Sequence, residues 1–410
     1  MGVDVSTRKI ILANGKLNPI AMEDAAVKDE ELDMDALVEA LIDAASSEGV
    51  IESNVFEFNE IKLIDRKVKM LVYHHPACAL HCVEDHPEQP DRVKVILDAI
   101  RAANILPEDA FVEAPRVEDE HVVLFHGVQM FDRLKRIMSA CEELGKEHRL
   151  DGDTAVMEYT KEAVYRAAGS IVAAVDDVFS RDMDTVFCCV RPPGHHATRE
   201  KSMGFCFLSN AGIAAKYAYH KYKKRVAVLD FDVHHGNGTE DGFVHDENMF
   251  YGSTHEKDNY PGTGEEPSVS ESESNPLYQR IVNRALPPGP ASRSVFKKKW
   301  REIIDKMILF RPELVIFSAG FDAHDSDPLA NCELIADDFA WATDIVLRAC
   351  VEIDESNPPP CISILEGGYD LEAIAESAVA HVKALLVGHP PSHHGGDEVQ
   401  ALKNYLDTVL

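Results

Sequence analysis

The chain has 410 residues, 45% of them hydrophobic, which is enough for one large domain with an extension or for two domains. Its formal net charge of −30 at pH 7 repels phosphate backbones, so we expect no direct nucleic-acid binding. The same charge would attract a cationic ligand such as a lysine-rich segment or a polyamine, although solubility explains it equally well. No apolar run reaches the roughly 18 residues of a membrane span, so we expect none.

Residues 1–67 differ from the rest of the chain. They are acidic and include one stretch with helical periodicity, DEELDMDALVEALIDAASS, which predicts an extension that is partly helical or disordered. The start has no apolar core of a secretory signal, and no run of Lys or Arg resembles a nuclear signal; we expect a cytoplasmic and/or nuclear protein. Met-Gly-x-x-x-Ser fits the loose pattern for myristoylation of Gly2, but such short patterns match by chance, and we expect an unmodified terminus.

The nine cysteines are an odd number in a chain without an export signal, which indicates reduced thiols. Cys78 and Cys82 have several histidines near them, a composition that would suit a zinc knuckle. A structural zinc site needs a second pair of ligands, and none follows in the sequence. We therefore expect ordinary buried or surface thiols at both positions.

From about residue 68, short apolar runs alternate with amphipathic helical stretches. The predicted strands are KMLVYHH, DTVFCCV, RVAVLDFD, NMFYGS, ELVIFSAGFD and CISILEGGY. The predicted helices include QPDRVKVILDAIRAA, TKEAVYRAAGSIVAAVDDVFS and FKKKWREIIDKMILF. This alternation predicts an α/β fold over residues 68–388, a three-layer sandwich with a central, mainly parallel sheet. Residues 389–410 are predicted to form a C-terminal tail with a last helix.

Polar side chains stand at the carboxyl ends of several predicted strands, where open α/β sheets bind ligands. In VLDFDVHHGNGT, a strand from Val226 to Asp232 would place Asp230, Asp232 and His234 on one side. A catalytic zinc site needs three protein ligands and an open position, and Asp232 and His234 supply two. Asp322, just after the strand in VIFSAGFD, is the candidate third ligand; its alternative role is to cap a following helix.

A second pair of histidines lies in the Pro- and Gly-containing loop VRPPGHHATREKSMGFCF. Adjacent residues on a loop are expected to point apart, so His195 and His196 would not share one metal ion, but they could carry protons near it. Their alternative is a pair of surface residues. Tyr369 follows two glycines at another strand end, where it could donate to a developing oxyanion or cap the next helix. Cys206, in the apolar GFCFL, is expected to pack rather than to act as a nucleophile.

Together these pieces resemble the zinc-dependent histone deacetylase family, class II-like, within the arginase/deacetylase superfamily. The matching motifs occur in the family's order and spacing over roughly residues 70–388; they are HPEQPDR, RPPGHHA, GFCFLSNAGIAA, DFDVHHGNGTED, SAGFDAHDSDPL and LEGGYDL. The resemblance implies an arginase/deacetylase-like fold. It also implies a hydrolase that uses Zn²⁺ to remove acetyl groups from N-acetyl-lysine side chains of histone or non-histone proteins.

The resemblance assigns roles to single residues. The zinc ligands would be Asp232, His234 and Asp322. Of the two tandem histidines, His196 would act as general base and then general acid, while His195 would mainly stabilise charge.

Three further residues complete this implied catalytic set. Asp230 would be the carboxylate behind His195, and Asn237 would be the partner of His196, where asparagine is typical of the class II branch. Tyr369 matches the tyrosine that stabilises the transition state in this family, and a tyrosine there indicates a competent enzyme.

The resemblance also implies a channel for the acyl-lysine side chain. Phe205 would form one aromatic wall, and Tyr260 would form the other, where the family usually has phenylalanine. Gly204 would let the channel narrow. Leu329 stands where acetylpolyamine amidohydrolases carry a glutamate that reads a second amine, so leucine favours a protein-lysine substrate.

Family members also bind monovalent cations. Asp230 and Ser253 match side chains of the inner potassium site, together with main-chain oxygens of Asp232, His234 and Thr254. Arg92 in HPEQPDR matches an arginine at the foot of an internal pocket. His235 receives no role except to pack against or support its neighbours.

Three other functions remain open at this stage. An acetylpolyamine amidohydrolase would have the same fold and zinc site. A non-catalytic acyl-lysine binder would need neither Tyr369 nor the histidine pair. An arginase-like enzyme with two metal ions would need Asp and His ligands that these motifs do not offer. The sequence leaves open the acyl-chain preference and the oligomeric state.

Overall fold

The computed structural model describes residues 68–180, 183–268 and 275–388, which belong to one compact unit, Arg66–Gly396. The predicted extension at 1–67, with Gly2, and the predicted tail at 389–410 lie outside the described residues. The helices that the described residues form include none that is long and apolar enough to cross a membrane.

A central sheet of eight strands forms the middle layer, and all of its neighbouring strands run parallel. Its strands are β1 (Met70–His74), β2 (Phe111–Glu113), β5 (Thr185–Cys188), β6 (Val226–Asp230), β7 (Met249–Glu256), β8 (Ile281–Leu286), β9 (Leu314–Ala319) and β10 (Cys361–Leu365). Their order across the sheet is β2-β1-β5-β10-β9-β6-β7-β8. A separate antiparallel pair consists of β3 (His148–Arg149) and β4 (Ala155–Val156).

Helices cover both faces of this sheet. They are α1 (Asp91–Ala102), α2 (Asp119–Val122), α3 (Val128–Leu144), α4 (Thr160–Ser180), α5 (Asn210–Tyr222), α6 (Asn237–Phe243), α7 (Ala291–Phe310), α8 (Ala336–Ile353) and α9 (Leu371–Gly388). Short 3₁₀ helices occur at Pro76–Ala79, Glu108–Ala110 and Pro276–Gln279.

The hydrophobic core divides into two layers because the strands are apolar on both faces. In β5, Val186 and Cys188 pack with α3, α4 and α5, whereas Phe187 packs with α1, α7, α8 and α9. Alternate residues of β9 likewise belong to one core layer or the other. Continuous apolar strands buried on both sides are the sequence signature of such a parallel sheet, and the predicted three-layer α/β fold is confirmed.

All six predicted strands lie in the central sheet, and the three predicted helices are α1, α4 and α7. The predicted strands do not include β2 and β8, which are the two edge strands of the sheet. Edge strands are weakly marked in sequence: β2 has only three residues, and β8 interrupts its apolar pattern with asparagine and arginine.

The sheet order brings the ends of β6, β9 and β10 to one edge. β6 ends at Asp230, so the prediction that it continues to Asp232 is wrong. Oδ1 of Asp230 accepts a hydrogen bond from the Asp232 amide at 3.2 Å, and this local bond turns the chain out of the strand. Asp232, Asp322 and Tyr369 therefore lie on turns that follow three adjacent strands.

Candidate active site

Asp232, His234 and Asp322 converge at this edge. Each offers one ligand atom, and these atoms lie within 4.8 Å of one another, in side chains that are all buried. Nδ1 of His234 lies 3.2 Å from Oδ1 of Asp232 and 3.1 Å from Oδ2 of Asp322. Two carboxylate oxygens and one imidazole nitrogen that face a common point suit zinc, which accepts mixed nitrogen and oxygen ligands.

The backbone holds both carboxylates in place. The Gly367 amide donates to Oδ2 of Asp232 at 2.8 Å, and the Val233 amide donates to Oδ1 of Asp322 at 2.8 Å. A Cβ atom on Gly367 would lie 2.1 Å from Oδ2 of Asp322, and one on Gly320 would lie 2.1 Å from Oδ2 of Asp232. Both glycines are therefore required by the close approach of backbone and carboxylates. Asp322 is not a helix cap, because the next helix along the chain is α8 at Ala336.

His195 is paired with carboxylates. Its Nδ1 lies 3.1 Å from Oδ2 of Asp230, and its Nε2 lies 3.7 Å from Oδ1 of Asp232. Burial alone would lower the pKa of His195, but the carboxylates of Asp232 and Asp230 outweigh burial and raise it to about 10. The Tyr251 hydroxyl also donates to Oδ2 of Asp230 at 3.0 Å. The protonated form of His195 is therefore favoured by the carboxylates beside it.

His196 has a neutral partner instead. Its Nδ1 lies 2.9 Å from the side-chain oxygen of Asn237. Burial lowers the pKa of His196 well below its usual value, and the charge of the adjacent His195 lowers it further. The expectation that the two tandem rings point apart is wrong, because their centroids lie 3.9 Å apart at 44°. The rings differ in their hydrogen-bond partners rather than in their direction.

Tyr369 lies at the same site and is 8% exposed. The guanidinium carbon of Arg92 lies 4.9 Å from the centre of the Tyr369 ring, and Nε of Arg92 donates to the Gly368 carbonyl at 2.6 Å. Burial raises the pKa of the Tyr369 hydroxyl well above its usual value, so the phenol keeps its proton. A protonated phenol can donate a hydrogen bond to an oxyanion.

The predicted channel residues surround these groups. The Phe205 ring lies edge-on to Tyr369, with centroids 5.9 Å apart, and the Tyr260 ring lies edge-on to His196 at 5.0 Å. A Cβ atom on Gly204 would lie 2.7 Å from the His196 ring and 2.9 Å from Tyr260, so a side chain has no room there. Tyr260 is 37% exposed beside His196, and Leu329 is 36% exposed.

Ser253, predicted to bind potassium with Asp230, is adjacent to it in the register of β6 and β7. Ser253 is fully buried, and its hydroxyl lies 3.0 Å from Nδ1 of His255. The hydroxyl of Thr254 is buried without a hydrogen-bond partner. Oxygen atoms at this point are the kind of ligand that potassium takes.

Three cysteines considered from the sequence differ in their burial. Cys206 is fully buried and packed, and burial raises the pKa of its thiol well above the usual value. Cys78 is buried and Cys82 is exposed. Across the described ranges, clusters with metal-ligand geometry do not include either of them.

Comparison with known proteins agrees with this geometry. The family described as "Histone deacetylase domain" matches residues 86–385. The chain belongs to the histone deacetylase family.

Two curated relatives show the extent of the similarity to other family members. Histone deacetylase 14, chloroplastic, of Arabidopsis thaliana is 33% identical over 334 residues, which cover 77% of this chain and 76% of the relative. Type-2 histone deacetylase 2 of Dictyostelium discoideum is 32% identical over 363 residues, covering 79% of this chain but only 21% of that much longer protein.

Two solved structures share the fold of this deacetylase-family chain. The crystal structure of the HDA15 HD domain has a TM-score of 0.68 and 30% identity, and covers 83% of this chain and 93% of that one. The acetylpolyamine aminohydrolase from Burkholderia pseudomallei has a TM-score of 0.67 and 25% identity, with 78% of this chain and 99% of that one covered. Family and relatives indicate a deacetylase, an enzyme that hydrolyses amides.

The structure of this deacetylase adds polar residues that the sequence analysis missed. Oε2 of Glu366 accepts hydrogen bonds from the amides of Gly194 at 2.7 Å and His195 at 3.1 Å, so it anchors the loop of tandem histidines. Burial raises the pKa of Glu366 to about 7. The position of Glu366 directly after β10 could have marked it as a candidate site residue, because the other site residues also follow strands.

Asp327 links two predicted site residues. Its Oδ2 accepts from the Tyr369 amide at 2.6 Å, and its Oδ1 accepts from the Leu329 amide at 3.0 Å. Burial, followed by the charge of Asp322, raises the pKa of Asp327 to about 7. No sequence pattern pairs Asp327 with Tyr369, since they are 42 residues apart.

A buried ion-pair network lies beneath the site. Glu88 accepts from Nε and Nη2 of Arg191 at 2.6 Å each, and from Nη1 of Arg92 at 3.0 Å. All three side chains are at most 1% exposed. Burial alone would raise the pKa of Glu88, but the two guanidinium groups lower it to about 2. The network joins Arg191, at the start of the tandem-histidine loop, to Arg92 beneath Tyr369.

Proposed function

We propose that this deacetylase is a zinc-dependent hydrolase that removes acetyl groups from lysine side chains of proteins. The observation that carries the proposal is the position of the Asp232, His234 and Asp322 trio. It lies beside a histidine paired with a carboxylate, a histidine paired with an amide and a buried tyrosine, at the end of an approach lined by aromatic rings.

The trio would hold zinc, which when bound acts as a Lewis acid toward the amide carbonyl and makes bound water more acidic. His196 is neutral and its Nδ1 is committed to Asn237, so its Nε2 can take a proton from the attacking water. The same atom then returns a proton to the nitrogen as the C–N bond breaks, which yields acetate and a free lysine amine.

His195 and Tyr369 would stabilise the charge that develops on the carbonyl oxygen. The carboxylates of Asp232 and Asp230 favour the protonated form of His195, and burial favours the protonated form of Tyr369. Hydrogen bonds that strengthen as the oxyanion forms lower the barrier more than they tighten substrate binding.

The proposed substrate is an acetylated protein lysine. Phe205 and Tyr260 present ring faces and edges that suit an alkyl chain, and Leu329 at the rim offers no charge to a second amine. The net charge of −30 favours basic substrate segments and disfavours nucleic acid. We further propose potassium bound near Asp230 and Ser253, and a cytoplasmic and/or nuclear location in keeping with unpaired thiols.

An acetylpolyamine substrate is the second candidate, because the Burkholderia enzyme has the same fold over nearly its whole length. The deciding experiment measures kcat/KM of zinc-loaded protein on an acetyl-lysine peptide and on acetylspermidine, with chelator-treated protein as control. We expect a clear preference for the peptide and loss of turnover in the chelated sample. A preference for acetylspermidine, or equal turnover after chelation, would overturn the proposal.

A further inference from the structure

His235 is adjacent to the candidate ligand His234 but faces a different part of the molecule. It is 2% exposed, and its two ring nitrogens have separate partners. Nε2 lies 2.9 Å from Oε2 of Glu240, and Nδ1 lies 2.8 Å from the hydroxyl of Thr263. The carboxylate only accepts, so Nε2 carries a proton, and Nδ1 shares a hydrogen bond with the Thr263 hydroxyl.

His255 makes a similar contact with Gly264, the residue after Thr263. Its Nε2 lies 2.9 Å from the Gly264 carbonyl, which only accepts, so this nitrogen carries the proton. Burial lowers the pKa of His255 to about 3, so its Nδ1 is free to accept from the Ser253 hydroxyl at 3.0 Å. The rings of His255 and His235 lie 4.8 Å apart.

Gly264 shows how closely the chain passes over these rings. A Cβ atom on it would lie 2.6 Å from Cγ of His235 and 2.6 Å from Nε2 of His255, and its φ is +84°. Only glycine combines that backbone conformation with that lack of space. The buried imidazoles of His235 and His255 therefore fix the chain at Thr263 and Gly264.

The segment fixed in this way carries a wall of the candidate channel. The Tyr260 loop, residues 257–264, leaves β7 after Glu256 and ends at Gly264. Tyr260 reaches the site, with its ring centroid 5.0 Å from His196 and 6.3 Å from His234. Its side chain is 37% exposed, so packing alone holds it less firmly than a core residue.

We propose that His235 and His255 are positioning residues that fix the Tyr260 loop and thereby set the width of the acyl-lysine channel. The inference rests on the proposed function for its substrate, but its structural basis is independent of that function. The two adjacent histidines after β6 then have different roles: His234 is a candidate metal ligand, and His235 holds the loop that carries the channel wall.

Thr263 offers a matched pair of variants, since its exposed side chain can change without disturbing the core. Thr263→Val has nearly the same shape but removes the hydrogen bond to His235, whereas Thr263→Ser keeps it. We expect Thr263→Val to raise KM for an acetyl-lysine peptide by about 2- to 10-fold, the range for one hydrogen bond, with kcat changed less than KM. Relative turnover of a butyryl-lysine peptide should rise, and Thr263→Ser should restore wild-type values.

A second measurement does not depend on activity. Hydrogen exchange of the peptide amides in residues 257–264 should accelerate in Thr263→Val and stay at the wild-type rate in Thr263→Ser, with zinc content equal in all three proteins. Unchanged exchange and unchanged KM in Thr263→Val would overturn the inference, as would an effect on kcat alone. If wild-type protein does not turn over acetyl-lysine, the proposed function fails, and the exchange rates still decide whether the histidines fix the loop.

Discussion

Nδ1 of His196 lies 2.9 Å from the side-chain oxygen of Asn237, so this imidazole has an uncharged partner. His195, whose ring is in contact with that of His196, has the carboxylate of Asp230 instead. The two histidines therefore differ in charge although they are adjacent: the pKa of His195 is raised and that of His196 is lowered. A neutral imidazole can take a proton as general base, and a protonated one beside it can stabilise negative charge.

Asn237→Asp should alter the pH dependence of the reaction. A carboxylate at this position favours the protonated form of His196 and raises its pKa, by about 1 unit or more for a close opposite charge. Because His196 must be neutral to act as base, the acidic limb of kcat/KM against pH should move to higher pH. Asn275→Asp, at the exposed start of a 3₁₀ helix, is the control. Superimposable profiles for wild type and Asn237→Asp would contradict the assigned role.

Asp322→Ala should abolish stoichiometric zinc binding. The variant removes one of the three converging donors and leaves the Val233 amide without its acceptor. Elemental analysis of purified protein measures the result, and Asp325→Ala, in an exposed position on the same loop, should retain full metal content. One zinc per chain in Asp322→Ala would show that the ligand assignment is wrong.

Tyr369→Phe should reduce kcat by about 10²–10³, the usual effect of losing one oxyanion donor. The ring remains, so its contacts with Arg92 and Phe205 and the zinc content should be kept. Steady-state kinetics on an acetyl-lysine peptide check this, with the exposed Tyr159→Phe as control. Near-wild-type kcat in Tyr369→Phe would refute a transition-state role.

The fold was predictable from sequence because buried parallel strands are continuous apolar runs between amphipathic helices. The convergence of Asp232 and Asp322 was predictable too, because both follow strands whose carboxyl ends share one edge of the sheet. The motif spacing then identified the family. What these signals could not give was the end of β6, since the turn depends on a hydrogen bond between Asp230 and the Asp232 amide.

Residues that support the site were harder to find. Asp327 holds the Tyr369 amide, and Glu366 holds the loop before His195, through contacts between segments far apart in sequence. The strand-end position marks Glu366 as a candidate for the site, but an acidic residue there can also cap a helix or face solvent, so the amides that it binds could not be predicted. His234 and His235 could not be told apart from the sequence, because they are the same residue type at adjacent positions. In the structure their rings point in different directions, so His234 contacts Asp322 and His235 contacts Thr263.

Glu88→Gln should destabilise the fold strongly. The variant leaves the guanidinium groups of Arg191 and Arg92 buried without their charge partner, and breaking a buried pair costs about 3–5 kcal/mol of unfolding free energy. Urea unfolding at pH 7 measures this cost. Glu108→Gln breaks an exposed pair with Arg101 and should cost about 1 kcal/mol or less. Equal midpoints for the two variants would contradict the importance of the buried network.

The lowered pKa of Glu88 predicts a pH dependence of stability. The buried arginines lower this pKa to about 2 in the folded protein, against 4.5 for an ordinary glutamate. A lowered pKa gives stability that is complete above 4.5 and is lost as the pH falls toward 2. The difference in unfolding free energy between wild type and Glu88→Gln should therefore shrink across this range. A constant difference would mean that the charge of Glu88 does not stabilise the fold.

Leu329→Glu should shift the substrate preference toward acetylated polyamines. Leu329 is 36% exposed, and its amide donates to Asp327, which also accepts from the Tyr369 amide. A glutamate there would therefore extend into solvent close to Tyr369 and the approaching substrate. The added negative charge attracts the second amine of acetylspermidine, which a peptide without nearby cations lacks. Leu329→Gln has nearly the same shape without the charge and is the matched control. We expect the ratio of kcat/KM for acetylspermidine over the acetyl-lysine peptide to rise in the Glu variant only, and to fall back as salt screens the attraction. A similar rise in the Gln variant would assign the effect to shape or to a loosened rim rather than to recognition of charge.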